Sequence, residues 1–232
     1  MVTITRMCLR EVSRRRGVLL LMALLPLWFC LVRRGPAGQS IRLLALGAAW
    51  AVSTLALFTT CTARSVEQRL RVHGFAVRQL FWGRQLAVVL AGLTLACGYF
   101  LLVLADGRPV RIRAVGAVLL IDVLVAAPPG ALLGALVPRE LEGALALLSL
   151  VAVQLLSDPA DRFSEFLPFW PTPQIGYYAI DDRGTRYLVE GPAHGASAAV
   201  LLRAGPLLLT TARLRLCGAV EPSEEGARRP GP

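Results

Sequence analysis

The sequence contains no lysine, and charged residues make up only 17% of its 232 positions. Without a lysine the chain cannot form a Walker A phosphate-binding loop, so hydrolysis of ATP by that route is excluded. The short motifs GxSxG, HExxH and GxGxxG are also absent. Their absence lowers the expectation of enzyme chemistry, but it leaves open catalysis by residues that are spread over several helices.

Cysteine and histidine are scarce as well. No two of these residues have the spacing of a zinc or redox site, and the odd number of cysteines does not indicate a disulfide framework. We therefore expect buried thiols, no metal site and no cofactor bound by this chain. The residues concerned are Cys8, Cys30, Cys61, Cys97, Cys217, His73 and His194.

Apolar residues, in contrast, make up 55% of the chain and fall into six runs. Two of the runs carry no charge over about 20 residues, which is the length that a helix needs to cross a bilayer. The pattern predicts an all-α, polytopic membrane protein with one transmembrane domain over residues 1–216 and a disordered cytoplasmic tail over 217–232. The fifth run is short, and a buried core helix is its alternative. The predicted spans are 17–32, 43–62, 85–105, 114–137, 143–157 and 195–212.

The distribution of arginine predicts the orientation. If the N-terminus is cytoplasmic and there are six spans, 15 arginines lie inside, nine lie outside and Arg203 lies within the membrane. Because basic residues are retained in short cytoplasmic loops, this excess favours cytoplasmic N- and C-termini in the plasma membrane. The net charge of +10 is accounted for in this way, and no nucleic acid is expected as a partner. Residues 1–16 can form a short helix at the lipid surface, or an ordinary charged segment beside the membrane.

The connection between the second and third spans, 63–84, has apolar residues at helical spacing and reads as an amphipathic helix. Glu67 and Arg71 are placed for an i,i+4 pair, and Gly74 would let the helix end or bend. Such a segment either lies on the membrane or docks into a groove on another protein. The apolar positions are Val66, Leu70, Val77, Leu80 and Phe81.

Two charged residues fall within the predicted spans. Asp122 and Arg203 each lie eight residues from the outer end of their span, which is a depth of about 12 Å at 1.5 Å per residue. They could pair with each other, or each could face a wet cavity or reach the surface. Pro128 and Pro129 would kink the fourth span and free backbone groups that neighbouring helices must satisfy.

The outer segment 158–194 is rich in aromatic residues. Aromatic rings with one polar edge favour the headgroup level, so short helices at or dipping into the outer interface are expected around 160–167 and 174–180. The segment is either a gate over an exit path or a structural cap anchored by its rings. The gate candidates are Phe166, Phe169, Trp170, Tyr177 and Tyr178.

Several of these features together resemble the membrane subunits of type-2 ATP-binding cassette (ABC) exporters. The resemblance rests on the six runs, the basic N-terminal segment and the long outer loop. It also rests on three cytoplasmic stretches, which are Ser65-Val66-Glu67-Gln68-Arg69-Leu70, Leu80-Phe81-Trp82-Gly83-Arg84-Gln85-Leu86-Ala87 and Arg139-Glu140-Leu141-Glu142-Gly143.

The resemblance implies a permease that works as a dimer, with ATP and magnesium held by a separate ATPase subunit. The segment 64–75 would contact that subunit, and the coupling residues would be Arg64, Glu67, Arg69, Arg71 and Gly74. The expected cargo is a hydrophobic or amphiphilic solute. Two alternatives remain open: a membrane-embedded enzyme acting on lipid, with Asp122 and Arg203 in its polar centre, and an accessory membrane protein without transport activity.

Overall fold

The computed structural model folds the chain into helices, as the apolar runs predict. No strand occurs in the part of the chain that the structure describes, which comprises residues 2–14, 16–32, 37–107, 111–137, 139–157, 167–170, 172, 197, 199–200 and 202–212. The described residues from 197 to 212 are also helical. The other helices are α1 (Val2–Arg14), α2 (Arg16–Val32), α3 (Ala37–Val72), α4 (Val77–Asp106), α5 (Ile112–Leu136) and α6 (Glu140–Leu156).

Three of these helices are long and apolar enough to cross a membrane, and they indicate a membrane protein. Their candidate spans are Ser40–Arg64 in α3, Val77–Asp106 in α4 and Ile112–Leu136 in α5. Helices α2 and α6 have 17 residues each, or about 26 Å at 1.5 Å per residue, which is less than the roughly 30 Å of hydrocarbon. The described residues of the six predicted runs are almost all helical, but six membrane crossings remain a prediction, and the tail 217–232 lies outside the described residues.

The centre of the bundle is the contact between α3 and α5. A Cβ atom added to Gly130 would lie 1.9 Å from the backbone oxygen of Ser53, and one added to Gly134 would lie 2.8 Å from the oxygen of Leu57. Only glycine permits such a close approach of two helix backbones. From the first contact to the second the residue number rises by the same amount on both helices, so α3 and α5 run in the same direction. This is expected for two helices that are connected through one further long helix, α4.

Proline within a helix is tolerated here because other groups take over its lost hydrogen bond. Pro26 in α2 has no N–H to offer the carbonyl of Met22. The hydroxyl of Tyr99 in α4 lies 3.3 Å from that carbonyl oxygen and 3.0 Å from the oxygen of Ala23. Gly47 in α3 makes room for the proline ring, because a Cβ there would lie only 3.0 Å from Pro26 Cβ. The hydroxyl of Tyr99 therefore ties α4 to α2, and Gly47 lets α3 pack against the same part of α2.

Candidate functional site

The segment predicted to be a separate amphipathic helix is the end of α3, followed by a turn and the beginning of α4. Helix α3 ends at Val72, and residues 73–76 reverse the chain before α4 begins at Val77. Gly74 ends the helix in the left-handed conformation, with φ 86°. Phe75 N donates to Leu70 O over 3.2 Å, and Gly74 N donates to the Arg71 carbonyl over 2.9 Å, which is the Schellman pattern. We call residues 64–84 the elbow.

A buried ion pair braces the elbow. Glu67 on α3 accepts a hydrogen bond from the guanidinium of Arg84 on α4, and both side chains are buried. The Arg84 guanidinium also lies 5.8 Å from the ring centroid of Phe81, at a cation–π distance. Glu67 therefore faces inward, and its side chain is not part of the exposed surface that the family resemblance implied.

Helix α1 packs against the elbow and the adjoining helices. The Thr5 hydroxyl donates to the Gly83 carbonyl over 3.1 Å, and Val12 clusters with residues of α2 and α3 that include Leu55. The pKa of the Cys8 thiol, on the same face of α1, is raised because the thiol is buried, and the positive charge of Arg84 offsets only part of this effect. The N-terminal helix is thus partly built into the bundle, although its outer face remains exposed.

Arg64 has a structural position at the same end of the bundle. Its guanidinium donates to the carbonyl oxygens of Gly134 and Val137, the second over 2.9 Å. The last carbonyls of a helix lack partners within the helix, and a cation stabilises that negative end. Arg64 therefore caps the C-terminal end of α5, and its guanidinium is used in hydrogen bonds within the protein.

The remaining predicted coupling residues stay at the surface. Arg69 and Gly74 are exposed, and Arg71 is half-buried. Phe75, with 37% of its surface exposed, and Arg78 lie beside them. Of the five predicted coupling residues, Arg64 and Glu67 are used internally, whereas Arg69, Arg71 and Gly74 remain at the surface at the end of α3 and its turn.

Asp122 forms a second polar centre, within α5. Its carboxyl group is 2% exposed, and its Oδ1 accepts a hydrogen bond from the hydroxyl of Thr172, which is also buried. The other oxygen, Oδ2, is buried and has no hydrogen-bond partner among the described residues. The carboxyl thus holds the segment that includes Thr172 against α5.

The structure does not join Asp122 and Arg203 in an ion pair. Arg203 Nη2 instead donates to the Leu124 carbonyl over 3.2 Å, which is the group that Pro128 leaves without its helical N–H partner. Leu124 is two residues beyond Asp122 and so lies about 200° around the helix axis from it. Equal depth suggested a pair, but position around the helix assigns the two charges different partners.

The aromatic segment enters the bundle where the structure describes it. Phe169 is fully buried in the main hydrophobic cluster, and Trp170 is 9% exposed. Two turn hydrogen bonds, from Trp170 N to Leu167 O and from Thr172 N to Phe169 O, shape this piece at 3.1 Å each. We call the described residues of this piece, 167–170 and 172, the plug. The other gate candidates, Phe166, Tyr177 and Tyr178, lie outside the described residues, as do nearly all of the two predicted short helices.

Arg84 and Thr172 are the polar residues that the sequence interpretation missed. Arg84 could have been found from the sequence, because it directly precedes an uncharged apolar run. If the helix begins before that run, Arg84 lies within the helix and its charge needs a partner. The single acidic residue of the connection, Glu67, is the natural partner. Thr172 gives no such signal, since it lies among prolines in a segment noted only for aromatic rings.

Comparison with known proteins adds no assignment. No protein-family model matches this chain, and no curated protein matches it in sequence.

Proposed function

We propose that this chain is the permease subunit of an ABC-type exporter and that the elbow receives force from a separate ATPase subunit. In this proposal the chain is a multi-pass plasma membrane protein with cytoplasmic termini, and two permease copies enclose the path. The observation that carries the proposal is the elbow itself, a reversal of the chain that the Glu67–Arg84 pair and α1 brace on two sides.

The length of α3 supports this role. The candidate span ends at Arg64, and the helix continues for eight residues to Val72. At 1.5 Å per residue this extension is about 12 Å long, and α4, which begins directly after the turn, has 30 residues or about 45 Å, about 15 Å more than the hydrocarbon requires. A partner in the cytoplasm could therefore contact the turn without entering the lipid headgroup layer.

The bracing gives the elbow a mechanical property that a free surface helix lacks. Glu67 and Arg84 connect two consecutive helices near their shared end, while Arg64 connects α3 to the end of α5. A displacement of the turn is therefore passed to three helices together. In the proposed cycle, closure of the ATPase dimer moves the turn, and the bundle tilts between inward and outward openings.

The chemistry of the exposed turn indicates the kind of surface that it contacts. Arg69 and Arg78 present positive charge on either side of Phe75, which is partly exposed. Opposite charge steers partners and sets the register of a complex, and a buried aromatic ring provides its affinity. The proposed ATPase surface is a groove with acidic residues and an apolar pocket.

Charge reversal at Arg69 tests the proposal. Tagged wild-type protein, purified from native membranes in a mild detergent, is expected to bring with it an ATPase that carries Walker motifs. Arg69→Glu should reduce the recovered ATPase at least several-fold and abolish the stimulation of ATP hydrolysis, because it introduces repulsion at the contact. Its amount in the membrane should be unchanged, since the Arg69 side chain is exposed.

Arg113→Glu is the matched control, because Arg113 is also exposed but lies near the opposite end of the bundle, at the beginning of α5. It should bind the ATPase like the wild type. Equal recovery from the Arg69 and Arg113 variants, or recovery of no Walker-type ATPase with the wild type, would refute the proposal. Glu67→Arg is unsuitable as a test because it would place a second cation beside the buried Arg84.

A further inference from the structure

Asp122 is a buried acid that the proposed coupling to an ATPase does not use. Its carboxyl accepts one hydrogen bond, from Thr172, and leaves Oδ2 buried without a partner in the described part of the chain. An ionised carboxylate in an apolar interior costs several kcal/mol unless a cation or several donors compensate it. A protonated carboxyl carries no such cost.

Among the described residues, the ionisable groups on the neighbouring elements do not supply that compensation. Arg203 donates to the Leu124 carbonyl, and the Tyr99 hydroxyl on α4 is directed to carbonyls of α2. Arg42 on α3 is a further cation among the described residues, and neither of the described salt bridges joins it to Asp122. Arg113, on α5 itself, is exposed nine residues away.

We propose that Asp122 is a proton-binding site and that its neutral form holds the plug, residues 167–170 and 172, inside the bundle. The proton enters from water and returns to it, and no other reactant takes part. In the neutral form Oδ2 carries the proton while Oδ1 accepts from Thr172. Loss of the proton leaves a charge that requires water, so hydration of Asp122 and withdrawal of the plug occur together.

The packing of the plug shows how its withdrawal would change the hydrophobic core of the bundle. Phe169 is buried in the same cluster as residues of α3, α4 and α5, among them Val115 and Ala45. Withdrawal of the plug would remove this ring from the cluster and expose apolar surface beside α5. Proton binding to Asp122 thus controls whether the Phe169 ring is packed in this cluster or released from it.

Trp170 provides a native probe for the test. A single-tryptophan protein is made with Trp28→Phe, Trp50→Phe and Trp82→Phe, reconstituted in lipid vesicles, and checked for an unchanged melting temperature. Quenching of Trp170 by acrylamide, which is uncharged, is then measured from about pH 5 to about pH 9, a range that includes values recorded for buried carboxyl groups. Quenching should be weak at the acid end and rise several-fold toward the alkaline end.

Four variants in this background identify the group that titrates. Asp122→Asn imitates the neutral acid and should keep quenching weak at every pH, whereas Thr172→Val removes the donor and should make quenching strong even at the acid end. Thr172→Ser keeps the hydroxyl and should behave like the parent. Asp106→Asn, at the exposed end of α4, should also leave the curve unchanged.

A flat curve in the parent protein, or an unaltered curve in Asp122→Asn, would overturn the proposal. Infrared difference spectra between the two pH limits provide a second measurement on protein with an intact Asp122. They should contain a band of a protonated carboxyl that is present in the parent and in Asp106→Asn. Absence of that band would likewise overturn the proposal, even if Asp122→Asn failed to fold.

Discussion

The contact between α3 and α5 permits a graded test of the fold with single methyl groups. Gly130→Ala would place a Cβ atom 1.9 Å from the Ser53 carbonyl oxygen. Since real Cβ contacts are essentially never shorter than 3.0 Å, the two backbones must separate by about 1.1 Å. The obstacle is backbone within a packed helix, so no side-chain rotation can relieve it.

The size of the effect follows from this displacement. Overpacking of a well-packed interior typically costs about 1–3 kcal/mol, and contact with backbone belongs to the upper end of that range. The separation would also stretch the hydrogen bond from the Ser53 hydroxyl to the Ala126 carbonyl, worth roughly 1 kcal/mol. Alanine offsets up to about 1 kcal/mol through its higher helix propensity. We expect Gly130→Ala to lose about 3 kcal/mol, which corresponds to a melting temperature lower by roughly 6 to 12 °C.

Two further glycines complete the series. Gly134→Ala would meet Leu57 O and Thr60 Cβ at 2.8 Å, so a shift of about 0.2 Å suffices and the loss should be near 1 kcal/mol. Gly98→Ala meets nothing within 4 Å and should be neutral or slightly stabilising. The assay is thermal unfolding of each purified variant in one detergent. A melting temperature for Gly130→Ala equal to that of Gly98→Ala would refute the close approach of the backbones.

Two other predictions concern the buried polar links. Glu67→Gln and Arg84→Gln should each destabilise the protein by about 3 kcal/mol, while the double variant should lose less than either alone, because breaking a buried pair leaves one uncompensated charge; additive losses in a double-mutant cycle would contradict the pair. Arg203→Met should lower the melting temperature in the wild type but have a smaller effect in Pro128→Ala, where a backbone N–H is restored to the Leu124 carbonyl. An equal effect in both backgrounds would contradict the role of Arg203 as the replacement donor.

The positions of the helices could be predicted where an apolar run is bounded by glycine or proline, which end helices. Helices α2 and α5 lie within two residues of the expected runs 17–32 and 114–137. Helix α3 extends ten residues beyond the end of its apolar run, through a stretch that contains four charged residues. Arginine, glutamate and glutamine are good helix formers, so the helix continues until Gly74 ends it.

The contacts of the site depended on features that spacing alone does not contain. Glu67 was expected to pair with Arg71 at i,i+4, but the reversal at residues 73–76 brings Arg84 to it from 17 positions away. Equal depth in the membrane allows Arg203 to be the partner of Asp122. The structure instead gives Asp122 a hydrogen bond from Thr172 in the plug, and Arg203 donates to a carbonyl on another side of α5. The sequence could indicate which residues need partners, but the choice of partner required the packing of separate elements.

The elbow and Asp122 are mechanically connected through α5. Arg64 binds the carbonyl of Val137, and Asp122 lies 15 residues earlier on the same helix, about 22 Å away at 1.5 Å per residue. In the proposed transport cycle α3 and α5 tilt as one body when the elbow moves, because they meet backbone to backbone. Relative to a plug that stays in place, a tilt of about 10° about the elbow would carry Asp122 through roughly 4 Å at that distance, which exceeds the reach of its hydrogen bond to Thr172. A stroke at the elbow would therefore break the link that holds the plug, and protonation of Asp122 would determine whether the link forms again when α5 returns.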